Sequence, residues 1–293
     1  MSDWSYILYE KAAEGVARIV LNRPESRNAQ DTQFLYELNE AYEQATQDEG
    51  VKVIITAANG PHFSSGHDLR ERDHLDNQDR YRPVTGAAGY RRDGAEGRMA
   101  REDEIYVGFC ERWRNIPKPT LAAVQGRCVA GGLMLAWPMD IIIAADDAVF
   151  EDVTVALGIP GVEFFAHPWE LGPRKAKEML FAGAQINAEE ARMLGMVNRV
   201  VPRARLAEET LDLARQIALR PSFALRLAKQ AVNNTQDAQG RHSAFAGAFA
   251  MHHLAHSHCM EVHGLPVDPG GVHKGVAATY APGNEPWRKK QAV

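Results

Sequence analysis

The chain has 293 residues, a length typical of one large domain or two small ones. Its 33 Lys and Arg residues are outnumbered by 38 Asp and Glu residues, and the net charge of −5 argues against a nucleic acid or an anionic membrane bound by bulk electrostatics. Apolar residues make up 45% of the chain, which excludes a largely disordered protein, and no apolar run reaches the roughly 18 residues of a membrane helix.

Cysteine usage and the N-terminal residues predict the compartment. The chain has three cysteines, Cys110, Cys128 and Cys259. Because their number is odd and no CxxC spacing occurs, neither a disulfide framework nor a zinc ribbon is expected. The first residues, MSDWSYILYEK, lack the basic region and apolar stretch of a secretory signal. We therefore expect a cytoplasmic protein.

The N-terminal half alternates predicted strands and helices. Asp31 precedes apolar residues at helical spacing, and its carboxylate can accept hydrogen bonds from the free N–H groups of a helix start. Strands separated by helices favour parallel pairing, so we expect an α/β fold. Apolar, β-branched runs predict strands at 15–22, 51–56, 121–124 and 141–144.

The remaining chain is mostly helical, and two segments differ from the rest. Residues 71–103 hold many charges and glycines with little apolar periodicity, so a long insertion loop is expected there, either a solvated mobile segment or a lid. Residues 264–293 form a Pro- and Gly-rich tail. Helices are predicted at 188–194, 205–219 and 222–232.

Two glycine-containing turns follow predicted strands and are candidate binding sites. The segment NGPHFSSGHDL (59–69) follows the second strand, and ligands of α/β sheets bind at the carboxyl ends of strands. In AAVQGRCVAGGLMLA (122–136), Gly131 and Gly132 precede an apolar helix-like run, so their N–H groups are free and a ligand can approach closely. For either turn alone, a purely structural role is the more common one, because glycine turns are frequent.

Together and in this order, the motifs resemble those of the crotonase superfamily, the enoyl-CoA hydratase/isomerase family. The resemblance runs from about residue 15 to about residue 232. It implies a ββα spiral core at 1–202 and a helical C-terminal trimerisation region at 203–263, followed by the tail at 264–293. The matching motifs are NRPESRNA (22–29), FSSGHDL (63–69), KPTLAAVQGRCVAGGLMLA (118–136), MDIIIAADDAVF (139–150), LGIPG (157–161) and AEEARMLGMVNRVVP (188–202).

The resemblance implies an acyl-CoA thioester as substrate and no cofactor beyond the coenzyme A that the substrate carries. The backbone N–H groups of His67 and Gly131 would stabilise an enolate-like oxyanion, an effect worth a few kcal/mol per donor. The His67 imidazole is not needed for this, and we expect it to be structural or solvent-facing. The positions implied to bind substrate are Arg27, Ser65, Gly66, Asp68, Leu69, Met134 and Thr154.

The sequence departs from the family at the two glutamates that a hydratase needs. Met134 and Thr154 stand at those positions, and neither side chain carries a group suited to proton transfer. Asp152 and Glu163 are the candidate replacements, although a solvated or ion-paired surface acid is the more common role for either. Further candidates are Glu151, His167 and residues of the insertion.

A histidine cluster follows near the C-terminus. If 244–260 is helical, then His252, His253 and His256 share a face and His258 points away. Helix packing is the favoured interpretation, and supply of the missing base by one of these imidazoles is a second. No metal site is expected, because Glu261 lies on the far side and no carboxylate of this helix joins the histidines.

The sequence therefore predicts an acyl-CoA enzyme with an intact oxyanion hole and a non-standard acid/base. A hydrolase of CoA thioesters or C–C bonds and a non-catalytic acyl-CoA binder remain as alternatives. We also expect a homo-trimer or homo-hexamer, because Phe245 and Phe249 need burial in a helical C-terminal region.

Overall fold

The computed structural model describes residues 4–71 and 74–271. Their strands form two sheets, and helices cover both. The strands are β1 (Ile7–Ala13), β2 (Val16–Leu21), β3 (Val53–Ala58), β4 (Thr120–Val124), β5 (Arg127–Val129), β6 (Ile141–Ala145), β7 (Val149–Glu151), β8 (Ile186–Asn187) and β9 (Arg199–Val201). The helices are α1 (Thr32–Gln47), α2 (His74–Gln78), α3 (Gly94–Glu102), α4 (Phe109–Arg114), α5 (Leu133–Ala136), α6 (His167–Ala182), α7 (Ala188–Leu194), α8 (Leu206–Ala218), α9 (Ser222–Ala238) and α10 (Arg241–His263).

The larger sheet has the order β1-β2-β3-β4-β6-β9. Only the β1–β2 pair is antiparallel, and every other neighbouring pair in this sheet is parallel. The smaller sheet has the order β5-β7-β8, so β4 and β6 are each followed by a short strand in the second sheet. Successive strands that enter two different sheets before a helix are the ββα unit that the resemblance implies.

Side chains of the larger sheet alternate between two cores, as the period of a strand requires. Along β3, Ile54 packs into the main core between the sheets, whereas Val53 and Ile55 pack under α8 on the opposite face. Both faces are buried, which explains why these strands have continuous apolar runs rather than a polar alternation.

The predicted elements of the N-terminal half are confirmed. The four predicted strands are β2, β3, β4 and β6. The Asp31 carboxylate accepts a 2.8 Å hydrogen bond from the Phe34 N–H and caps α1 as expected. The strands β5, β7, β8 and β9 were not predicted, because two- or three-residue strands carry little periodicity. The seven-residue strand β1 was also not predicted.

The insertion at 71–103 is not the loop that its composition predicts. It contains α2 and α3, and a π-helical segment, Asp103–Gly108, continues α3 into α4. The buried Glu104 carboxylate accepts hydrogen bonds from the backbone N–H groups of Val84 (2.7 Å) and Thr85 (2.9 Å). The stacked rings of Tyr36 and Tyr81, 4.3 Å apart, attach the insertion to α1. Tertiary contacts rather than local periodicity therefore order this segment.

The predicted C-terminal helices are confirmed, but the expectation that Phe245 and Phe249 need a partner chain for burial is wrong. Phe245 and Phe249 are already buried within their own chain, and the Phe245 ring packs edge-on against Phe164 at 4.9 Å. The exposed apolar side chains belong to other positions of α9 and α10. They include Phe223, Leu227, Val232, Met251, Leu254 and Val262.

The start of the predicted tail packs on the core. The Asp268 N–H donates a 2.8 Å hydrogen bond to the Leu157 carbonyl. The rest of the tail, 272–293, lies outside the described residues. Among the described helices, none is both long enough and apolar enough to cross a membrane.

Candidate active site

The turn after β3 is held in place by the segment before α1. The buried Asn28 side chain donates hydrogen bonds of 3.0–3.1 Å to the carbonyls of Asn59, His62 and Phe63. On the other side of the turn, the Val129 N–H of β5 donates to the Ser64 carbonyl at 3.0 Å. The turn is therefore fixed between two parts of the chain that are far apart in sequence.

The two glycine turns singled out in the sequence meet. Gly66 has φ of +90°, and a Cβ there would lie 2.9 Å from the Val129 carbonyl oxygen and 3.1 Å from the Gly131 nitrogen. Only glycine tolerates both that backbone conformation and that close approach. The first turn is thus packed directly against the backbone of the second.

Two backbone N–H groups are unused where the turns meet. Gln30 and His67 form an isolated β-bridge. In it the Gln30 N–H donates to the Gly66 carbonyl at 2.9 Å, and the Gln30 carbonyl accepts from the Asp68 N–H at 2.8 Å. The N–H of His67 takes no part in these two bonds. Gly131 lies in the 3-10 turn Ala130–Gly132, where its N–H precedes the first donor of the helix. Neither N–H has an acceptor among residues 4–71 and 74–271.

The His67 imidazole points inward rather than to solvent. Its ring stacks on Tyr106 of the π-helical segment, with centroids 3.9 Å apart and an interplanar angle of 22°. It also lies against Gly131, where a Cβ would be 2.7 Å from its Cε1. Its Nε2 lies 3.2 Å from a carboxylate oxygen of Glu163. The residue that carries one candidate oxyanion donor therefore also brings an imidazole to the same place.

Glu163 is the carboxylate that the fold places beside the two glycine turns. It is buried, with Oε2 on His67 and Oε1 3.5 Å from His252 Nε2. Burial alone would raise the pKa of the Glu163 carboxyl, but the facing imidazoles of His67 and His252 lower that pKa to about 2. The group is therefore a carboxylate with two nitrogen neighbours, not the solvated surface acid that is the usual case.

Asp152, the other candidate acid, is occupied by structural hydrogen bonds. It is fully buried, and it accepts from the N–H groups of Thr154 (2.9 Å) and Val162 (3.1 Å) and pairs with His167 Nε2 at 2.8 Å. Burial would raise the pKa of Asp152, but the His167 imidazole holds it below its usual value. This set of partners shapes the turn before Glu163.

The two positions of the replaced glutamates differ in their surroundings. Met134 lies in α5 as a buried part of the main core, and its carbonyl accepts from the Cys110 thiol at 3.3 Å. Thr154 begins the 3-10 turn Thr154–Leu157, and its backbone N–H donates to the Asp152 carboxylate at 2.9 Å. Thr154 thus lies beside a buried acid, whereas Met134 lies among apolar side chains.

The residues implied to contact coenzyme A line the outer edge of the first turn. Arg27 and Leu69 are exposed. The Ser65 N–H donates a 2.9 Å hydrogen bond to the Arg27 carbonyl. The Asp68 carboxylate pairs with Arg23 at 3.0 Å and with Arg70 at 2.9 Å. The hydrogen bonds from Arg70, with help from Arg23, lower the pKa of Asp68 to about 2. Two arginines therefore hold this acid at the rim.

The histidine cluster lies next to this site, in the same chain. His252, His253 and His256 are buried on one face of α10, and His258 is exposed, as predicted. Burial is the main cause that lowers the pKa of His253 and of His256 to about 4. The second interpretation, in which an imidazole of this helix reaches the active site, fits the contact between His252 and Glu163.

Sequence reasoning missed Tyr106 and Glu102. Glu102 lies at the end of the predicted loop and Tyr106 lies three residues beyond it. Glu102 faces the histidines of α10, and Tyr106 in the π-helical segment stacks on His67. Burial and the charge of Glu163 raise the pKa of Glu102 well above its usual range. The only sequence signal was the apolar run that begins at Ile105, directly after the insertion.

Comparison with known proteins places this geometry in a family. The profile of the enoyl-CoA hydratase/isomerase family matches residues 11–91 and 87–265. The chain belongs to the enoyl-CoA hydratase/isomerase family. The predicted family is therefore confirmed.

Individual relatives agree with this family membership. The Mycobacterium tuberculosis protein EchA13, named as a candidate enoyl-CoA hydratase, is 44% identical over 281 residues, which cover 94% of this chain and 88% of that protein. The crystal structure of a probable enoyl-CoA hydratase from Mycobacterium smegmatis has a TM-score of 0.81 and 48% identity, over 90% of this chain and 99% of that one. An enoyl-CoA hydratase/isomerase from Xanthobacter autotrophicus Py2 has a TM-score of 0.76 and 33% identity, over 94% and 93%. The predicted crotonase-like α/β fold is confirmed.

Proposed function

We propose that the chain transfers a proton at a carbon of an acyl-CoA thioester while the backbone N–H groups of His67 and Gly131 bind the thioester oxygen. One observation carries the proposal: a buried carboxylate, Glu163, contacts the His67 imidazole at 3.2 Å directly beside those two unused N–H groups. Preorganised donors favour the negative charge that develops on the oxygen, and a carboxylate within reach accepts the proton.

An isomerase-type reaction fits these groups better than hydration does. Moving a double bond needs one base that removes a proton and returns it to another carbon. Hydration needs a second group to position and activate water, and Met134 and Thr154 provide no carboxylate for that role. A non-catalytic binder is disfavoured, because both a carboxylate and an imidazole adjoin the oxyanion turns.

Coenzyme A would lie along the rim formed by Ser65, Gly66, Asp68 and Leu69. The exposed Arg27 guanidinium has no ion pair with a described residue, so it is available for a phosphate of the nucleotide. Arg23 and Arg70 are engaged by Asp68 and hold the turn in shape.

Self-association as a trimer or a dimer of trimers is part of the proposal. Its support is the family fold together with the exposed apolar side chains of α9, such as Phe223 and Val232. Light scattering at micromolar concentration should give at least three times the chain mass. A monomeric mass would refute this part and leave the chemistry untouched.

Deuterium incorporation from D₂O into butyryl-CoA, followed by mass spectrometry, tests the chemistry without knowledge of the natural acyl group. Exchange next to the thioester should occur, and Glu163→Gln should slow it by about 10²–10⁴ at unchanged affinity. Glu261→Gln, an exposed change on α10, is the matched control. Exchange that survives Glu163→Gln would exclude Glu163 as the base, and release of free coenzyme A would favour the hydrolase alternative.

A further inference from the structure

Five titratable side chains from three parts of the fold meet beside the proposed active site. Three are His252, His253 and His256 of α10, and the others are Glu102 of α3 and Glu163. All five are buried. No metal was expected there from the sequence, because the carboxylates come from distant segments and not from the face of α10.

The outer ring nitrogens of two histidines are held by backbone carbonyls. His252 Nδ1 donates to the Gly161 carbonyl at 2.9 Å, and His256 Nδ1 donates to the Pro266 carbonyl at 2.5 Å. In a neutral imidazole this arrangement leaves the lone pair on Nε2. Histidines that bind metals are commonly oriented by a hydrogen bond of this kind on the other nitrogen.

Both Nε2 atoms then face the same carboxylate. His252 Nε2 lies 3.6 Å from Glu102 Oε2, and His256 Nε2 lies 3.7 Å from Glu102 Oε1. One donor atom from each of these three residues fits within a group in which all separations are at most 4.8 Å. His253 Nε2 is a further donor, 3.3 Å from Glu102 Oε2.

The polar atoms that point into this cluster are unpaired. Glu102 Oε2, His252 Nε2 and both ring nitrogens of His253 have no hydrogen-bond partner among the described residues. Buried polar atoms without partners are rare and costly, so several at one point indicate a missing group. The charge of the cluster also favours a cation, because Glu102 and Glu163 are two buried acids whose negative charge a divalent cation would neutralise.

The distances between Glu102 and the histidines are long for direct hydrogen bonds. Charge-assisted hydrogen bonds between nitrogen and a carboxylate are about 2.7–2.9 Å long, and the pairs around Glu102 lie 3.3–3.7 Å apart. Two ligands at about 2.0–2.1 Å from a tetrahedral metal are about 3.4 Å from each other. The distances from Glu102 to the histidines therefore leave room for an ion between them.

We propose that His252, His256 and Glu102 bind a divalent transition-metal ion, with His253 as a fourth donor. Two imidazoles and a carboxylate suit Zn²⁺, Co²⁺ or Fe²⁺ rather than Mg²⁺ or Ca²⁺, which prefer oxygen ligands. The ion would tie α10 to α3 and so fix the segment that presents Tyr106 to His67. It would also lie next to Glu163, the carboxylate of the proposed function.

Titration of the chelator-stripped, untagged chain with CoCl₂, without any acyl-CoA, tests the site by visible absorption. We expect one Co²⁺ per chain with ligand-field bands, displaced by Zn²⁺. Glu102→Gln and His256→Gln should each weaken Co²⁺ binding at least tenfold. His258→Gln, an exposed histidine on the same helix, should leave it unchanged.

X-ray absorption of the Co²⁺-loaded wild-type chain tests the ligand set even if the variants fail to fold. Scattering from at least two imidazoles and a carboxylate supports the site. Oxygen-only coordination, no saturable binding to the wild type, or equal weakening in His258→Gln would overturn it. None of these readouts depends on turnover, so they do not stand or fall with the proposed chemistry.

Discussion

Asp152 and His167 form a 2.8 Å hydrogen bond, and both side chains are fully shielded from solvent. Asp152 also binds the N–H of Val162, the residue before Glu163. Of the two acids, Asp152 thus holds the turn and Glu163 faces the proposed oxyanion site. This division of roles underlies the first prediction.

Asp152→Asn should lower the free energy of unfolding by about 3–5 kcal/mol, because it removes one partner of a buried pair. Urea denaturation measures the change. Asp212→Asn, which breaks an exposed pair with Arg215, should cost no more than about 0.5 kcal/mol. An Asp152→Asn chain that is as stable as wild type but has lost proton exchange would instead make Asp152 the acid/base.

Gly131→Ala should slow exchange next to the thioester by about 10²-fold or more, the usual cost of spoiling one oxyanion donor. A Cβ at residue 131 would lie 2.7 Å from His67 Cε1 and 3.2 Å from Gln30 Oε1, so the imidazole must move. Gly247→Ala on α10 meets open space and serves as the control. Equal exchange rates for the two variants would contradict the proposal that the Gly131 turn and the adjoining His67 take part in proton exchange.

Crotonyl-CoA hydration by the wild-type chain should be slower by about 10²–10⁴ or more than hydration by an enzyme with both glutamates, since Met134 and Thr154 replace them. Binding measured by calorimetry should persist, because the proposed N–H donors and the rim do not involve those side chains. A hydration rate comparable to that of a glutamate-bearing hydratase would contradict the isomerase-type assignment.

Glu170 predicts a pH dependence of stability. Burial raises the pKa of its carboxyl to about 7, although Arg241 and Arg114 oppose the shift. In the unfolded chain the pKa of a glutamate is about 4.3. Between about pH 4 and pH 7 the native state therefore binds more protons at Glu170 than the unfolded chain does, and the free energy of unfolding falls as the pH rises through this range.

Glu170→Gln should therefore be more stable than wild type at pH 8 and no more stable at pH 4. Thermal unfolding at both pH values measures this. Glu178→Gln, which removes an exposed ion pair on the same helix, should change stability by no more than about 0.5 kcal/mol at either pH. A Glu170→Gln effect that is equal at the two pH values would contradict the raised pKa.

Local patterns in the sequence were sufficient for the sheet core and for its family. Continuous β-branched runs predict buried parallel strands, and the Asp31 cap depends on residues within one turn of the helix start. The motifs around Gly66 and Gly131 mark the two glycine turns that carry the proposed oxyanion donors, because those turns require glycine at particular positions.

Only the tertiary structure decided which side chains surround those turns. Glu163, Tyr106 and Glu102 converge from distant segments, and no local spacing records that His67 contacts Glu163 or that Glu102 faces α10. The structure of the insertion at 71–103 also depends on contacts between distant residues, such as the hydrogen bond from Val84 to the buried Glu104 carboxylate. Packing energies that act across the chain leave no period in the sequence, whereas backbone geometry does.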